Sequence, residues 1–440
     1  MTTADLAEWI ADHSYRCTNA MERGISATHL IRRREVFGQV VTPSVGSVLA
    51  SPVIADWDPE PDYFFHWVRD SAIVMRAVAG LMGDAAGLAE RGRWCRHFEN
   101  FVAFSWGLSR LDGARWLART PYRRSTRRGY RRFLRGEGEF RRLQGDKLLG
   151  EPRFNADGSL DFLRWSRPQY DGPALRALAC LDFLAAGGPV SDALTGLLRQ
   201  DIDFTVRTAD KPCIGPWEEA GENAHHYHVG LAQLGALVHG RAWAADEAPR
   251  SKAEHRLRAG LDAHWHDGHG VYAAIREATA ESADDLIDSA VLLAVLDTDL
   301  PNGPHSAGDP RVQATQAALE AMFAREFPIN HALPPGRAPA LGRSRGDRYF
   351  GGGAWYPTTL AAAGLCYRLA QTAGNGGGAH IARGDAFMAT VRALTPADGA
   401  MSEQIDRQTG LPTSARHLTW SYAAFITTAR RRAKAVGAKG

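Results

Sequence analysis

The sequence predicts an all-α fold of about twelve helices, arranged as six helical hairpins that close into a ring. Ala, Leu and Arg fill long windows in which apolar residues recur three and four positions apart, and alternating strand-like runs are scarce. Short connections such as 82–84 alternate with long ones rich in Trp, Gly, Pro and charged residues. This alternation is typical of hairpins in a toroid whose long loops converge on one mouth. An irregular all-α domain is the alternative.

Each helix is predicted from an apolar stripe. The first stripe is formed by Leu6, Trp9, Ile10, Cys17 and Met21. The stripes of the other helices lie at 71–82, 86–108, 173–186, 191–206, 223–240, 252–265, 285–297, 310–325, 355–370, 380–394 and 418–431.

The composition excludes several classes of protein. The formal net charge of the 440 residues is only +3, so the sequence favours neither nucleic acid nor a membrane surface as a partner. No segment approaches the roughly 20 apolar residues of a membrane helix. The five cysteines are scattered without CxxC spacing, and residues 1–9 carry acids where a signal peptide has basic residues. We therefore expect a cytoplasmic protein.

Five long loops combine aromatic side chains with carboxylate, amide or guanidinium groups. Aromatic faces stack on the apolar faces of sugar rings, and planar polar groups bind sugar hydroxyls in pairs. The loops therefore predict a carbohydrate site. They precede the second, fourth, sixth, tenth and twelfth helices and contain residues 67–70, 165–171, 217–219, 343–355 and 402–404.

Glu218 and Glu403 are candidates for an acid–base pair. Glycoside hydrolysis usually needs one protonated carboxyl group to release the leaving group and one ionised carboxyl group to activate water. The neighbouring Glu219 would favour the protonated form of Glu218, because like charges repel. Taken alone, Trp217-Glu218-Glu219 is also compatible with a helix cap, and Arg69-Asp70 with a structural ion pair.

Neither a metal nor a cofactor is expected. The segment 225–228 (HHYH) has no pair of histidines four residues apart and no accompanying helical carboxylate motif. The glycines at 351–353 follow no predicted strand and precede no Lys-Ser/Thr, so they do not form a phosphate-binding loop.

In order and together, these segments resemble the glucoamylase family, glycoside hydrolase family 15, from near residue 5 to near residue 432. Their joint occurrence argues against the capping interpretation of Glu218. The most specific matches are PDYFFHWVRDS at 61–71, RPQYDGPALR at 167–176, WEE at 217–219, MSEQ at 401–404 and SARHLTWSYA at 414–423.

The resemblance implies a single (α/α)6 catalytic domain over 1–440, without a β-sandwich or a starch-binding module. It also implies an exo-acting, inverting hydrolase that releases β-D-glucose from the non-reducing end of short α-glucans. Glu218 would be the general acid and Glu403 the general base. Their carboxyl groups are then expected about 6.5–9.5 Å apart, which leaves room for a water molecule.

The resemblance also implies substrate contacts. Arg69 and Asp70 would hold the 4- and 6-hydroxyls of the terminal glucose. Arg343 would hold its other hydroxyls, and Glu219 would bind the next sugar. The walls of the pocket would be formed by Tyr63, Trp67, Trp165, Trp217 and Trp420.

Two departures from the family pattern bear on linkage preference. Residues 214–216 are Ile-Gly-Pro, where glucoamylases usually have Tyr-Asp-Leu, and 344–353 replaces a more polar loop. We expect short α-1,4 or α-1,6 glucosides before α,α-trehalose, with an enzyme specific for isomaltose and dextran as the alternative. Two alternatives come from other functional classes. A non-enzymatic sugar-binding toroid would not need both Glu218 and Glu403. A terpene cyclase would need a stronger acidic motif than Asp284-Asp285.

Segment 115–147 is a basic insertion, longer than is typical at this place in the family. A like-charge run is usually a solvated excursion. Its interleaved aromatic residues also allow it to pack over the pocket rim, which predicts a preference for di- and trisaccharides, or against another subunit in a homo-oligomer. Its arginines include Arg123, Arg124, Arg127, Arg128, Arg131 and Arg132, and its aromatic residues Trp116, Tyr122, Tyr130, Phe133 and Phe140.

Overall fold

Long helices dominate the computed structural model, which describes residues 3–56, 59–219, 221, 223–373 and 377–437. Four short helices, α4 to α7, lie within or beside the predicted insertion. In chain order, the helices are α1 (Thr3–Glu22), α2 (Val68–Asp84), α3 (Leu88–Leu108), α4 (Gly113–Arg119), α5 (Tyr122–Ser125), α6 (Glu137–Arg141), α7 (Asp146–Leu149), α8 (Asp171–Ala185), α9 (Asp192–Thr208), α10 (Tyr227–His239), α11 (Glu247–Asp262), α12 (Ala290–Thr298), α13 (Pro310–Glu326), α14 (Tyr356–Thr372), α15 (Gly377–Leu394) and α16 (Thr419–Gly437).

The twelve long helices form two concentric rings. In the inner ring, α2, α8, α10, α12, α14 and α16 each contact the next, and α16 packs back against α2 to close the circle. The outer helices α1, α3, α9, α11, α13 and α15 pack around them. Inner helices such as α12 are apolar on nearly every side because they are covered on both faces. The predicted all-α (α/α)6 barrel of six hairpins is confirmed.

Short antiparallel strands join loops that lie far apart in the sequence. In β3 and β4, Trp67 pairs with Arg153, and in β7 and β8, Trp355 pairs with Gln404. These ladders fix loops from different hairpins against one another at the mouth of the barrel. The strands are β1 (Arg32–Arg34), β2 (Gln39–Val41), β3 (His66–Trp67), β4 (Arg153–Phe154), β5 (Trp265–His266), β6 (Val271–Tyr272), β7 (Ala354–Trp355), β8 (Gln404–Ile405) and β9 (Pro412–Thr413).

The predicted helices all occur, but several of their ends differ. Helix α2 begins at Val68 instead of 71, and α12 begins at Ala290 instead of 285. At the start of α12, Asp288 lies one residue before the N-cap Ser289 and accepts a hydrogen bond from the backbone N–H of Ala290 at 2.6 Å. This bond satisfies the first free N–H group of the helix. No helix in the described part of the chain combines the length and the apolar character needed to cross a membrane.

The basic insertion is folded against the rest of the chain. Trp116 and Phe140 lie with ring centroids 4.7 Å apart, and with Tyr122 they pack into a second hydrophobic cluster that includes residues of the β3–β4 region. Arg135 is buried and binds both carboxylate oxygens of Glu151, at 2.8 and 3.0 Å. These contacts attach the insertion to the loop that leads to α8.

Candidate active site

A cavity of about 500 Å³ opens where the long loops lead into the inner helices. Its lining comes from the loops and first turns that precede or begin α2, α8, α10, α14 and α16. All eleven residues that the sequence analysis assigned to catalysis or binding lie in this lining, namely Tyr63, Trp67, Arg69, Asp70, Trp165, Trp217, Glu218, Glu219, Arg343, Glu403 and Trp420.

The Glu218 side chain is held by nitrogen donors. Trp67 Nε1 donates to both carboxylate oxygens, at 2.9 and 3.0 Å, and Trp165 Nε1 also donates to Oε2. Gln169 Nε2 and Arg69 Nη2 each lie 3.0 Å from Oε1. Glu218 has a φ of 60°, which is rare for a residue other than glycine. This strained turn directs the carboxylate into the cavity wall among four donors.

Arg69 is the centre of a buried ionic network. Its side chain is 4% exposed, and Nη1 donates to Asp171 at 3.0 Å and to Gln169 at 3.1 Å. Its Nε lies 3.7 Å from Asp70. Burial raises the pKa of Asp70 to about 6, although the Arg69 charge acts in the opposite direction. The pair therefore presents a guanidinium and a carboxyl group in the lining of the cavity.

The Glu403 side chain has hydroxyl donors instead. Tyr63 donates to Oε1 at 2.9 Å, and Ser414 donates to Oε2. The Tyr63 hydroxyl also bonds to the Tyr349 hydroxyl at 2.7 Å. Burial raises the pKa of Glu403 to about 7, while the two hydroxyl donors and the Arg343 charge lower it. A carboxyl group with this pKa is ionised in a substantial fraction of molecules at neutral pH, as a general base requires.

Arg343 and Glu219 lie together in the lining. The Arg343 guanidinium is fixed by Asp347, with Nε 2.7 Å from Oδ2 and Nη2 bound to Oδ1. Its Nη2 lies 3.6 Å from Glu219, whose side chain is 69% exposed. Glu219 therefore points toward a cation and solvent, a suitable position for a group that binds a more distant part of the substrate.

Aromatic side chains in the cavity lining form two groups. In the first, Trp67 lies 6.0 Å from Trp165, measured between ring centroids. In the second, the Trp217 ring lies 5.3 Å from Trp355 and stacks at 6.4 Å with Trp420. These flat apolar surfaces are what sugar rings need for stacking.

Several functional residues were not assigned from the sequence. Gln169 and Tyr349 lie in loops identified by their composition, and Ser414 begins a segment that matches the family, but nothing in the sequence distinguished these residues from their neighbours. Asp288 lies in the loop before α12, and this is the one inner helix whose loop was not among the five loops of the predicted carbohydrate site. Asp288 accepts a hydrogen bond from Trp217 Nε1 at 2.8 Å. Burial raises the pKa of Asp288 to about 7.

Segment 115–147 supplies none of the residues that line the cavity. It contacts the Trp165 loop, where the Arg164 backbone N–H donates to the Phe133 carbonyl at 2.7 Å and Leu134 pairs with Leu163. Within the described residues, no group of three or more His, Cys, Asp or Glu side chains is arranged to hold a metal ion.

The contact between Ser414 and Glu403 predicts a change in pH dependence. Because the Ser414 hydroxyl lowers the pKa of Glu403, the variant Ser414→Ala should raise it. A general base acts when ionised, so activity is lost as pH falls through this pKa. We expect the acidic limb of the kcat/KM profile to move to higher pH by about half a unit to one unit.

Ser402→Ala is the matched control, since this nearby buried hydroxyl donates to the Gln404 carbonyl. The variant should leave the limb in place. A Ser414→Ala profile that coincides with the unmodified enzyme would contradict the assignment of Glu403 as the titrating base.

Comparison with known proteins agrees with this geometry. The family model described as "Glycosyl hydrolases family 15" matches residues 34–105 and 128–430. Glucoamylase-1 of Schizophyllum commune is 26% identical over 441 residues, covering 89% of this chain and 70% of that protein. Glucoamylase 1 of Rhizopus oryzae is 27% identical over 344 residues, covering 66% of this chain and 57% of that protein. The solved glucoamylase of Hormoconis resinae superposes with a TM-score of 0.76 at 25% identity, covering 97% of this chain and 74% of that one.

Proposed function

Since this chain belongs to glycosyl hydrolases family 15 and is a glycoside hydrolase, we propose that it removes single glucose units from the non-reducing ends of short α-glucans. One observation carries the proposal. Two carboxyl groups, Glu218 and Glu403, lie in the wall of one cavity together with the Arg69–Asp70 pair and two groups of aromatic rings. The curated relatives extend beyond this chain, so their activity supports the proposal by analogy.

In the proposed reaction, Glu218 acts as the acid and Glu403 as the base. Glu218 transfers its proton to the glycosidic oxygen as the bond from that oxygen to the anomeric carbon breaks. Ionised Glu403 takes a proton from a water molecule, whose oxygen forms the new bond on the opposite face. Tyr63 and Ser414 orient the Glu403 carboxylate for this transfer. Carboxyl groups about 6.5–9.5 Å apart remain our prediction for this arrangement.

We expect exo-action because two buried polar atoms of residues that line the cavity, Arg69 Nε and Asp70 Oδ2, have no hydrogen-bond partner among the described residues. The free hydroxyls of a terminal glucose can bind them. A glucan that continued past them would leave these two atoms buried and unsatisfied, at a cost of about 1–3 kcal/mol or more for each. Arg343 would bind further hydroxyls of the same glucose, and Glu219 the next sugar.

We expect fresh product to be β-glucose, because water attacks the face opposite the leaving group. Proton NMR within minutes of mixing distinguishes the two anomers before they equilibrate. Early accumulation of α-glucose would indicate a retaining mechanism and refute these roles for Glu218 and Glu403.

The linkage is proposed as α-1,4 or α-1,6, with a preference for di- and trisaccharides. Residues 344–349 line the cavity beside Glu219, so the loop that departs from the family pattern lies where the leaving sugar would bind. Specificity constants for maltose, isomaltose, trehalose and dextran test the proposal. Activity confined to isomaltose and dextran would establish the α-1,6-specific alternative, and no glucose release from any of them would refute the proposed function.

Chain-length preference requires a separate measurement with oligomers of the preferred linkage. We expect the specificity constant to level off beyond the trisaccharide. A steady increase through longer oligomers to polymer would contradict the preference for short substrates.

A cytoplasmic location is also proposed. All five cysteines are free, as expected for a reducing compartment. Fractionation of the source cells with an antibody against the chain tests this location.

A further inference from the structure

Positive charge is concentrated in the basic insertion. Segment 115–147 contains eleven arginines and one lysine against three carboxylates, so its formal net charge is +9. The whole chain has only +3, and the remainder is therefore acidic, at −6. Neither the acid–base pair nor the cavity lining uses this charge.

Most of these arginines have no anionic partner. Arg135 and Arg141 form ion pairs with glutamates of the same segment. Eight others are exposed and have no carboxylate within 4 Å among the residues that the structure describes, namely Arg115, Arg119, Arg124, Arg127, Arg128, Arg131, Arg132 and Arg142. No described carboxylate neutralises these eight guanidinium groups, and Arg131 Nε donates only to the Thr126 carbonyl, at 3.3 Å.

Four of the eight are neighbours in the sequence of two exposed aromatic residues. The Tyr130 and Phe133 side chains are 41% and 44% exposed, with ring centroids 6.2 Å apart. The Arg132 guanidinium lies 4.8 Å from the Phe133 ring centroid. We define the arginine–aromatic patch as Arg127, Arg128, Tyr130, Arg131, Arg132 and Phe133, which lie on and just before a short 3-10 helix.

The patch is fixed to the wall of the cavity. The Arg127 backbone N–H donates to Val36 at 2.9 Å, and the Phe133 carbonyl accepts from the N–H of Arg164 at 2.7 Å. Arg164 is the residue before Trp165, which lines the cavity. The patch therefore lies directly against the loop that carries Trp165.

We propose that the arginine–aromatic patch binds the acidic groups of an anionic α-glucan whose neutral end occupies the cavity. The proposal rests on the proposed function and extends it to a substrate class. Guanidinium groups bind phosphate or carboxylate in bidentate fashion, and neighbouring rings can stack on sugar faces. A glucan with sparse acidic groups fits this distribution of charge, because the rest of the chain has a formal net charge of −6 and positive charge is concentrated in the segment that carries the patch.

The test compares matched charge variants of the full-length chain. The patch variant is Arg127→Gln/Arg128→Gln/Arg132→Gln. The control is Arg199→Gln/Arg256→Gln/Arg337→Gln, which removes the same charge at exposed arginines outside the insertion. Each is made in a Glu403→Gln background to suppress hydrolysis. Binding is measured by calorimetry with neutral, phosphorylated and carboxymethylated maltodextrins of equal length.

At low salt, the parent should bind an acidic maltodextrin about tenfold more tightly than the neutral one. The patch variant should lose this advantage while keeping its affinity for neutral maltodextrin, and the control should retain it. Higher affinity for only the phosphorylated or only the carboxymethylated maltodextrin also supports the proposal and identifies the acidic group. Added salt should reduce the advantage, since exposed charges are screened.

Equal affinity of the parent for neutral and acidic maltodextrins would overturn the proposal, as would an advantage that survives in the patch variant. Tighter patch-dependent binding of a short RNA or an anionic vesicle would assign the patch to another partner. Dimerisation of the parent chain, detected by light scattering and lost in the patch variant, would likewise assign the patch to another partner, namely a second copy of this chain. Hydrolysis of neutral maltose and isomaltose by the chain with Glu403 intact tests the proposed function separately, so the two failures are distinguishable.

Discussion

Replacing Glu218 or Glu403 with Gln should lower turnover at least about a hundredfold, because each change removes one half of the acid–base pair. An amide at 218 cannot protonate the leaving group, and an amide at 403 cannot accept a proton from water. Both substitutions preserve side-chain volume, so ground-state binding should change much less. Turnover and KM on the preferred disaccharide, measured on purified variants with unchanged circular dichroism spectra, give the two effects separately.

Glu281→Gln serves as the control, since this glutamate is exposed and lies outside the cavity lining. It should retain full turnover. Near-normal turnover of either folded active-site variant would remove that residue from the mechanism, whatever happens to the other.

The barrel was predictable because its helices are long. In α1, the buried residues Leu6, Ile10, Cys17 and Met21 follow the stripe expected for one helical face. The convergence of the site residues was also predictable, since alternate loops of a ring of hairpins face one mouth. Strands of two or three residues such as β3 and β7 are too short to show alternation, so the ladders that connect the loops were not predictable.

Other features depend on contacts between distant segments. The bond from Trp217 to Asp288 joins two loops 71 residues apart, and no local pattern encodes it. Glu218 has a left-handed backbone, against the preference of a glutamate, and its carboxylate accepts hydrogen bonds from four side chains that lie far away in the sequence. In the basic insertion, the alternation of arginine with aromatic residues did not determine which rings are buried. Phe140 is enclosed, whereas Phe133 remains exposed.

Arg69→Met should lower both activity and stability. The change leaves Asp171 and Glu218 without the cation that binds them at 3.0 Å, and breaking a buried pair in this way costs about 3–5 kcal/mol. It also removes a group that is proposed to hold the terminal glucose and that orients the acid. We expect kcat/KM to fall about a hundredfold or more, together with a lower midpoint in urea unfolding.

The variant Arg176→Met separates the loss of activity from the loss of stability. Arg176 forms an equally buried pair with Asp201, with both bonds at 2.8 Å, but neither residue lines the cavity. Its loss should lower the unfolding midpoint by a similar amount because the same kind of uncompensated carboxylate remains. The folded fraction should nevertheless keep its specificity constant when assayed well below the unfolding transition. If both variants lost activity in proportion to stability, Arg69 would be a structural cation alone. If Arg69→Met alone lost activity, the buried network around Glu218 would be needed for catalysis as well as for folding.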